Sequence, residues 1–283
     1  MDKWLINGHA GDTIGVTDRG FYYGDGLFET IAIRNGEPRL LTRHTQRLTE
    51  SCQRLGITIP SVADIASEIS TLAEGLDHGV CKVIITRGPG QRGYKATDGS
   101  PLTRAVGVAA TDPHPDRFYN EGIAIRYCST SISRNAALAG MKTLNRLEQV
   151  LARNEWDDPQ IFEGLMSDES GNLICGTMSN LFVVKGDSVI TPDLLQSGIA
   201  GVMRGLVLDV CKEHGIEVTV DGIGKQMMQD ADEVFLTNSN IGIVPVSRIA
   251  GGEVSTPGAR PVTDKLRRLL IEQGVAEGGT IAG

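Results

Sequence analysis

Ala139-Gly140-Met141-Lys142-Thr143-Leu144-Asn145 places a lysine among small and apolar residues, just ahead of a stretch, Leu144 to Trp156, in which Leu147, Val150 and Leu151 follow helical spacing. Most lysines lie on solvated surface. One that loses its hydration has a lowered pKa, and its amine can then attack a carbonyl to form a Schiff base. The same side chain could instead lay its stem along a helix start and keep its head in water. The segments on either side decide between the two. Before it, Gly122 to Ser133 alternates Ile123, Ile125 and Tyr127 against Ala124, Arg126 and Cys128, the period of a strand that delivers the chain to the helix. After it, Asn180 to Val184 and Asp187 to Thr191 flank Lys185-Gly186 as a hairpin, and Glu233 to Thr237 is a further apolar strand. Val202 to His214, closed by Gly215, and Thr263 to Gln273, opened by a Thr cap and closed by Gly274, read as helices.

Towards the N-terminus, Arg43 to Leu55 is a helical candidate. Ser61-Val62-Ala63-Asp64 reads as a capping box that opens another, with Ile65, Ile69, Leu72 and Leu76 on one face. Cys81 to Thr86 and Ala105 to Ala109 are short β-branched-rich runs suited to strands. Thr111-Asp112-Pro113-His114-Pro115-Asp116 holds two prolines in a polar stretch and cannot continue a strand. A chain of 283 residues is long enough for two domains. We therefore expect a smaller α+β domain over 1–112, a linker over 113–121 and a larger mixed α/β domain over 122–283.

Composition removes several classes of function. With 40% hydrophobic and 22% charged residues the chain has the balance of a folded globular protein. Its net charge of −8 gives no attraction to nucleic acid or anionic lipid, while a few convergent arginines could still bind a small anion. The five cysteines contain no C-x-x-C pair and the five histidines no H-x-x-x-H spacing, so neither a disulfide framework nor a metal site is expected. No signal-peptide pattern and no run of about 18 apolar residues is present, and the chain reads as cytosolic.

Several segments can hold an anion. Gly88-Pro89-Gly90-Gln91-Arg92-Gly93 follows a strand as G-x-G-x-x-G, but Gly99 and Pro101 stand where a dinucleotide fold needs a helix. The loop still carries Arg87, Arg92 and Tyr94, a combination suited to a carboxylate. Gly198-Ile199-Ala200-Gly201 opens a helix whose unpaired amides and dipole favour an anion, or is simply a tight turn. Thr237-Asn238-Ser239-Asn240 ends a strand with four hydrogen-bonding side chains, for phosphate or for a turn cap. Arg47, on the polar face of its helix, could complete such a site or face water.

Taken in order, these segments resemble the fold-type IV pyridoxal-phosphate enzymes, the group that holds branched-chain and D-amino-acid aminotransferases and 4-amino-4-deoxychorismate lyase. The resemblance is carried by Ile6-Asn7-Gly8, Asp18-Arg19-Gly20, Tyr23-Gly24-Asp25-Gly26-Leu27-Phe28-Glu29-Thr30, His44-Thr45-Gln46-Arg47-Leu48, Gly176-Thr177-Met178-Ser179-Asn180-Leu181-Phe182 and Gly198-Ile199-Ala200-Gly201. Cys52-Gln53-Arg54-Leu55, the run Arg87 to Tyr94, and Lys142-Thr143-Leu144-Asn145-Arg146-Leu147-Glu148-Gln149-Val150-Leu151 are similar to the lyase branch in particular. The resemblance implies a two-lobed, D-amino-acid-aminotransferase-like fold of α+β and α/β character, with pyridoxal 5'-phosphate held between the lobes. It implies that Lys142 is the Schiff-base lysine and that Arg47 holds the cofactor phosphate. Ile199 and Ala200, with Ser239 and Asn240, would complete the phosphate cup. The family pattern has a Glu five residues before the Asn of Asn-Leu-Phe, where it pairs with the pyridine nitrogen; here that position is Cys175. A thiol is a poor partner for a pyridinium, which disfavours transamination more than elimination.

The activity so implied is conversion of 4-amino-4-deoxychorismate, an anionic amino-dicarboxylate, into 4-aminobenzoate and pyruvate, a step of folate synthesis. Lys142 would act as base and acid, with Thr30 as a proton relay. Arg92 and Arg126 would hold the substrate carboxylates, and Tyr94, Asn145, Arg146 and Met178 would line the pocket. The family also implies a homodimer. A D-amino-acid or branched-chain aminotransferase is the alternative within the family, and a catalytically silent cofactor-binding dimer the alternative outside enzymes.

Overall fold

A computed structural model describes residues 3–96, 101–250, 254–255 and 259–277. The chain forms two compact units, Met1–Pro113 with Met141–Asn145, and His114–Gly140 with Arg146–Gly283.

The first unit runs β1 (Lys3–Ile6), β2 (His9–Ala10), α1 (Arg19–Tyr23), β3 (Gly26–Arg34), β4 (Glu37–Pro38), α2 (Leu41–Leu55), α3 (Val62–Ala73), β5 (His78–Thr86) and β6 (Thr103–Ala110). Its antiparallel sheet has the order β2-β1-β6-β5-β3-β4. Leu27, Ile31 and Ile33 of β3, with Cys81, Val83 and Ile85 of β5, form a core with Leu48 and Cys52 of α2 and Ile65 and Ile69 of α3. Burying each of the larger side chains contributes about 1.5–3 kcal/mol. Ser61 caps α3 by accepting from the Asp64 amide at 3.1 Å, as the sequence signature requires.

The second unit runs α4 (Asp116–Asn120), β7 (Ile123–Tyr127), α5 (Leu147–Arg153), β8 (Ile161–Ser167), β9 (Leu173–Gly176), β10 (Asn180–Lys185), β11 (Ser188–Thr191), α6 (Val202–Glu213), β12 (Val218–Val220), α7 (Lys225–Gln229), β13 (Glu233–Asn238), β14 (Gly242–Ile249), β15 (Val254–Ser255) and α8 (Pro261–Glu272). Strands pair in the order β12-β11-β10-β13-β14-β7-β8-β9, and β9 pairs back onto β10 through Cys175 and Asn180. The strands from β10 round to β9 thus close on themselves like a small barrel. The alternating residues Leu181 and Val183 of β10, Val234 and Leu236 of β13, and Val244 and Val246 of β14 supply its core.

Three local expectations change. The helix after Lys142 starts at Leu147 rather than Leu144, because 142–144 is extended and paired to the edge of β3. Helix α8 starts at Pro261, and its first amides are capped from another strand: Glu233 accepts from Val262 N at 2.9 Å and Thr263 N at 2.7 Å. Thr263 is therefore buried inside the helix instead of capping it. The stretch read as a linker contains α4, whose Tyr119 is buried and donates to the Ile241 carbonyl at 3.1 Å. Among the described residues, no helix is long and apolar enough to cross a membrane, and no cluster of three or more His, Cys, Asp or Glu could hold a metal ion.

Candidate active site

The first unit gathers its reactive groups around β3. The Phe28 amide donates to the Lys142 carbonyl at 2.9 Å, and the Leu144 amide to the Gly26 carbonyl at 3.0 Å. Gly26 is required for this approach: a Cβ there would lie 2.5 Å from the Ile85 carbonyl oxygen and 2.8 Å from Leu144 Cδ1. The pairing carries Lys142 to the Phe28 ring, whose centroid is 4.2 Å from Nζ. Period-2 alternation puts Thr30 on the same face as Phe28. On the neighbouring strand Lys82 is directly opposite Thr30, and its Nζ lies 5.2 Å from the same Phe28 ring. An amine, a hydroxyl and a second cation are so collected on one sheet face. Sequence reasoning missed Lys82; its signal was the single charge in Cys81-Lys82-Val83-Ile84-Ile85, on the face opposite the core residues.

On the other face of β3, at a core position between Leu27 and Ile31, stands Glu29, 2% exposed. It accepts from Arg47 Nε at 2.8 Å, pairs with Arg47 Nη2, and binds His44 Nδ1 at 2.7 Å. Burial alone would raise the carboxyl, but the Arg47 charge and the His44 bond hold it below its ordinary value. Burial lowers His44 more than Glu29 raises it, so the imidazole is neutral.

The loop after β5 is tied down by Arg19, which binds Asp25 at 2.8 Å and the Gly93 and Tyr94 carbonyls at 2.9 Å each. Arg87 engages the same Asp25 at 2.8 Å. Burial would raise the Asp25 carboxyl, yet bonds from Arg87 and Arg19 lower it. Arg92 is exposed on this loop, and the exposed Tyr94 packs against Tyr23 with centroids 5.4 Å apart. Asn145 donates to the Tyr23 carbonyl at 3.3 Å. Residues 97–100 lie outside the described chain.

In the second unit the turn before α6 is bonded to Gly140: Gly140 N donates to Gly198 O and Ala200 N to Gly140 O, both at 3.0 Å. The Ala200 amide is thus occupied. The helix begins one residue later, its first turn closed by Gly205 N to Gly201 O, which leaves the Val202 and Met203 amides without intrahelical acceptors. The Gly201 cap has no side chain to cover them, and a Cβ there would lie 2.0 Å from Asn180 Oδ1. Asn180 Nδ2 shapes the turn by donating to Ile199 O at 2.9 Å. After β13, Ser239 and Asn240 form a turn in which the Asn240 amide donates to Asn238 Oδ1 at 2.9 Å.

Cys175 is buried in β9, and burial, with Glu163 next in effect, pushes its thiol up to about 12. Arg146 opposes that shift, and burial lowers Arg146 in turn. The β9–β10 turn carries Met178, 55% exposed, and is held by the fully buried Glu163. Arg126 is engaged elsewhere. Its guanidinium binds the Glu155 carbonyl at 2.9 Å, the Tyr127 carbonyl at 3.2 Å and the Glu155 carboxylate at 3.4 Å, over the ring of Trp156. These donors tie β7 to the segment at Glu155.

The chain is similar to known proteins. The family model for amino-transferase class IV matches residues 26–249. The aminodeoxychorismate lyase of Vibrio harveyi is 32% identical over 88% of this chain and 92% of its own. A putative branched-chain-amino-acid aminotransferase of Methanocaldococcus jannaschii is 31% identical over 94% of each chain. The crystal structure of 4-amino-4-deoxychorismate lyase from Pseudomonas aeruginosa superposes with a TM-score of 0.89 and 38% identity, covering 95% of this chain and 98% of that one.

Proposed function

Because the chain belongs to the amino-transferase class IV family, we propose that it is a pyridoxal 5'-phosphate-dependent lyase that converts 4-amino-4-deoxychorismate to 4-aminobenzoate and pyruvate. The observation that carries this reading is the position of Lys142 Nζ over Phe28, on the sheet face that also holds Thr30 and Lys82. One amine for covalent work is thereby accompanied by a cation suited to a carboxylated substrate.

The donor set fits the cofactor. Lys142 offers an amine to the aldehyde and Arg47 a guanidinium to the phosphate. The second unit, taken by itself, presents the Val202 and Met203 amides at the start of α6 as donors of the kind that bind an anion. Of the two amides in the expected cup, that of Ala200 is already bonded to the Gly140 carbonyl. At the position of the family's pyridine-nitrogen Glu, the Cys175 thiol is uncharged at neutral pH. When bound, the cofactor supplies a sink for the negative charge left on the carbon that loses its proton.

The chain's own groups do the rest. Lys142 Nζ removes the proton from the ring carbon that bears the substrate nitrogen. The enolpyruvyl C–O bond on the adjacent carbon then breaks, its electron pair leaves with oxygen, and the ring becomes aromatic. Lys142, with the Thr30 hydroxyl as relay, returns a proton to the departing group, which is released as pyruvate. Lys82 and Arg92 hold the two carboxylates, in place of the structurally engaged Arg126. Tyr94 and Asn145 shape the pocket wall in the first unit. The exposed apolar residues Leu147, Val150 and Leu151 of α5 support a homodimer, and the five unbridged cysteines suit the cytoplasm.

Aminotransfer is the second reading, favoured by the near-equal identity to the M. jannaschii relative. The test is fluorescence release of 4-aminobenzoate from 4-amino-4-deoxychorismate, with D-alanine plus 2-oxoglutarate run beside it. Prompt product with a silent control supports the lyase; amino transfer without 4-aminobenzoate moves the assignment to the aminotransferases.

A further inference from the structure

An acid at a core position of an apolar strand is expensive unless it is paired and fully hydrogen-bonded. Glu29 meets both conditions through one helix: His44 and Arg47 are three residues apart on α2 and so share a face. Arg47 closes a two-point fork on the carboxylate with Nε and Nη2, and His44 Nδ1 shares Oε2. His44 Nε2 is buried and has no hydrogen-bond partner among the described residues, in a residue only 1% exposed. The three side chains sum to zero charge: one carboxylate, one guanidinium, one neutral imidazole.

Hydrophobic residues of similar volume would fill this space with no loss of stability. What they would not do is hold a long, flexible arginine in one rotamer. We propose that Glu29 is a positioning residue for the cofactor phosphate, fixing the plane of the Arg47 guanidinium while His44 anchors the carboxylate from the preceding turn of α2. The inference rests on the reading of Arg47 as the phosphate ligand. It implies that phosphate is recognised by a pre-set guanidinium geometry and not by local net positive charge.

The experiment measures the affinity of the apoprotein for pyridoxal 5'-phosphate and for pyridoxal, which lacks the phosphate, by absorbance titration of wild type, Glu29→Gln, Arg47→Ala and the double variant. We expect Arg47→Ala to weaken the phosphorylated ligand about a hundredfold and Glu29→Gln about tenfold, with pyridoxal unchanged within about twofold in both. In the Arg47→Ala background, Glu29→Gln should add nothing, since it acts through the missing side chain. The proposal is overturned if Arg47→Ala weakens the phosphorylated ligand and Glu29→Gln does not, if Glu29→Gln weakens both ligands alike, or if its effect persists without Arg47. If Arg47→Ala itself leaves the phosphorylated ligand unaffected, it is the role of Arg47 that fails. Should Glu29→Gln not fold, Glu29→Asp, which keeps the charge but withdraws it by one methylene, must show the same phosphate-selective loss.

Discussion

Two carboxylates are buried to the same degree in the two units and are handled in opposite ways. Glu29 is met by side chains, Arg47 and His44, that reach it from a separate helix. Glu163 is met largely by one turn: the amides of Thr177 and Met178 at 3.1 Å each, the Thr177 and Ser179 hydroxyls at 2.6 and 2.8 Å, and its own neighbour Gly164 N at 2.9 Å. Fixed donors solvate a charge without an opposing ion and leave nothing to adjust, which suits a scaffold. A paired arginine can be redirected or stiffened by its partner, which suits a ligand site.

The contrast can be broken most severely at Lys142. Lys142→Ala should lower turnover by at least about a thousandfold without changing the thermal midpoint, and a variant that still released pyruvate at near wild-type rate would remove the base from the scheme. Next comes Glu163→Ala, which removes an acceptor shared by five donors, of which the Thr177 amide keeps a second bond to the Gly164 carbonyl, and should cost about 3 kcal/mol or more in urea unfolding while leaving pyridoxal 5'-phosphate affinity unchanged under conditions where the protein is folded. Equal losses of affinity at Glu163 and Glu29 would erase the distinction between them. Among the cations, Lys82→Met should raise KM about tenfold with less effect on kcat, whereas Arg126→Gln should leave KM unchanged and lower the unfolding midpoint.

The smallest expected effect belongs to Glu155, a third pattern of solvation. Burial would raise it, but the Ser129 and Thr130 amides lower it from 4.5 to about 2. A depressed folded pKa means that its stabilisation is complete above about pH 4.5 and drains away as pH falls towards 2. Glu155→Gln should therefore lower stability modestly at pH 7, make little difference near pH 2, and so flatten the acid limb of the stability profile.

What was legible in the sequence was local. Ser61 capping α3, the hairpin at Gly186, and Lys142 in its small and apolar surroundings each involve residues within a few positions of one another. The misreadings all involve partners distant along the chain. Arg126 looked available for a ligand because Glu155 and Trp156, which fold beside it and take up its guanidinium, lie 29 and 30 residues on. Thr263 looked like a cap because the real one, Glu233, lies in another strand. The Ala200 amide looked open to an anion because its bond to the Gly140 carbonyl, 60 residues back, is invisible in a linear reading. Glu29 did leave a trace, an acid in core phase within Leu27-Phe28-Glu29-Thr30-Ile31, whose partner 18 residues away no spacing rule names.

The short excursion Met141–Asn145 has a consequence for how the protein is made. Most of the first unit's sheet has been synthesised by residue 113, yet the outer edge of β3 at Gly26–Phe28, on the side away from β5, is paired by residues 142–144. Until then that strand end is an unpaired edge, open to wrong partners. The segment that finishes the sheet is the one that carries Lys142. A nascent chain halted short of it would leave that edge unprotected, so completion of the first unit's sheet and the arrival of Lys142 are a single event in synthesis.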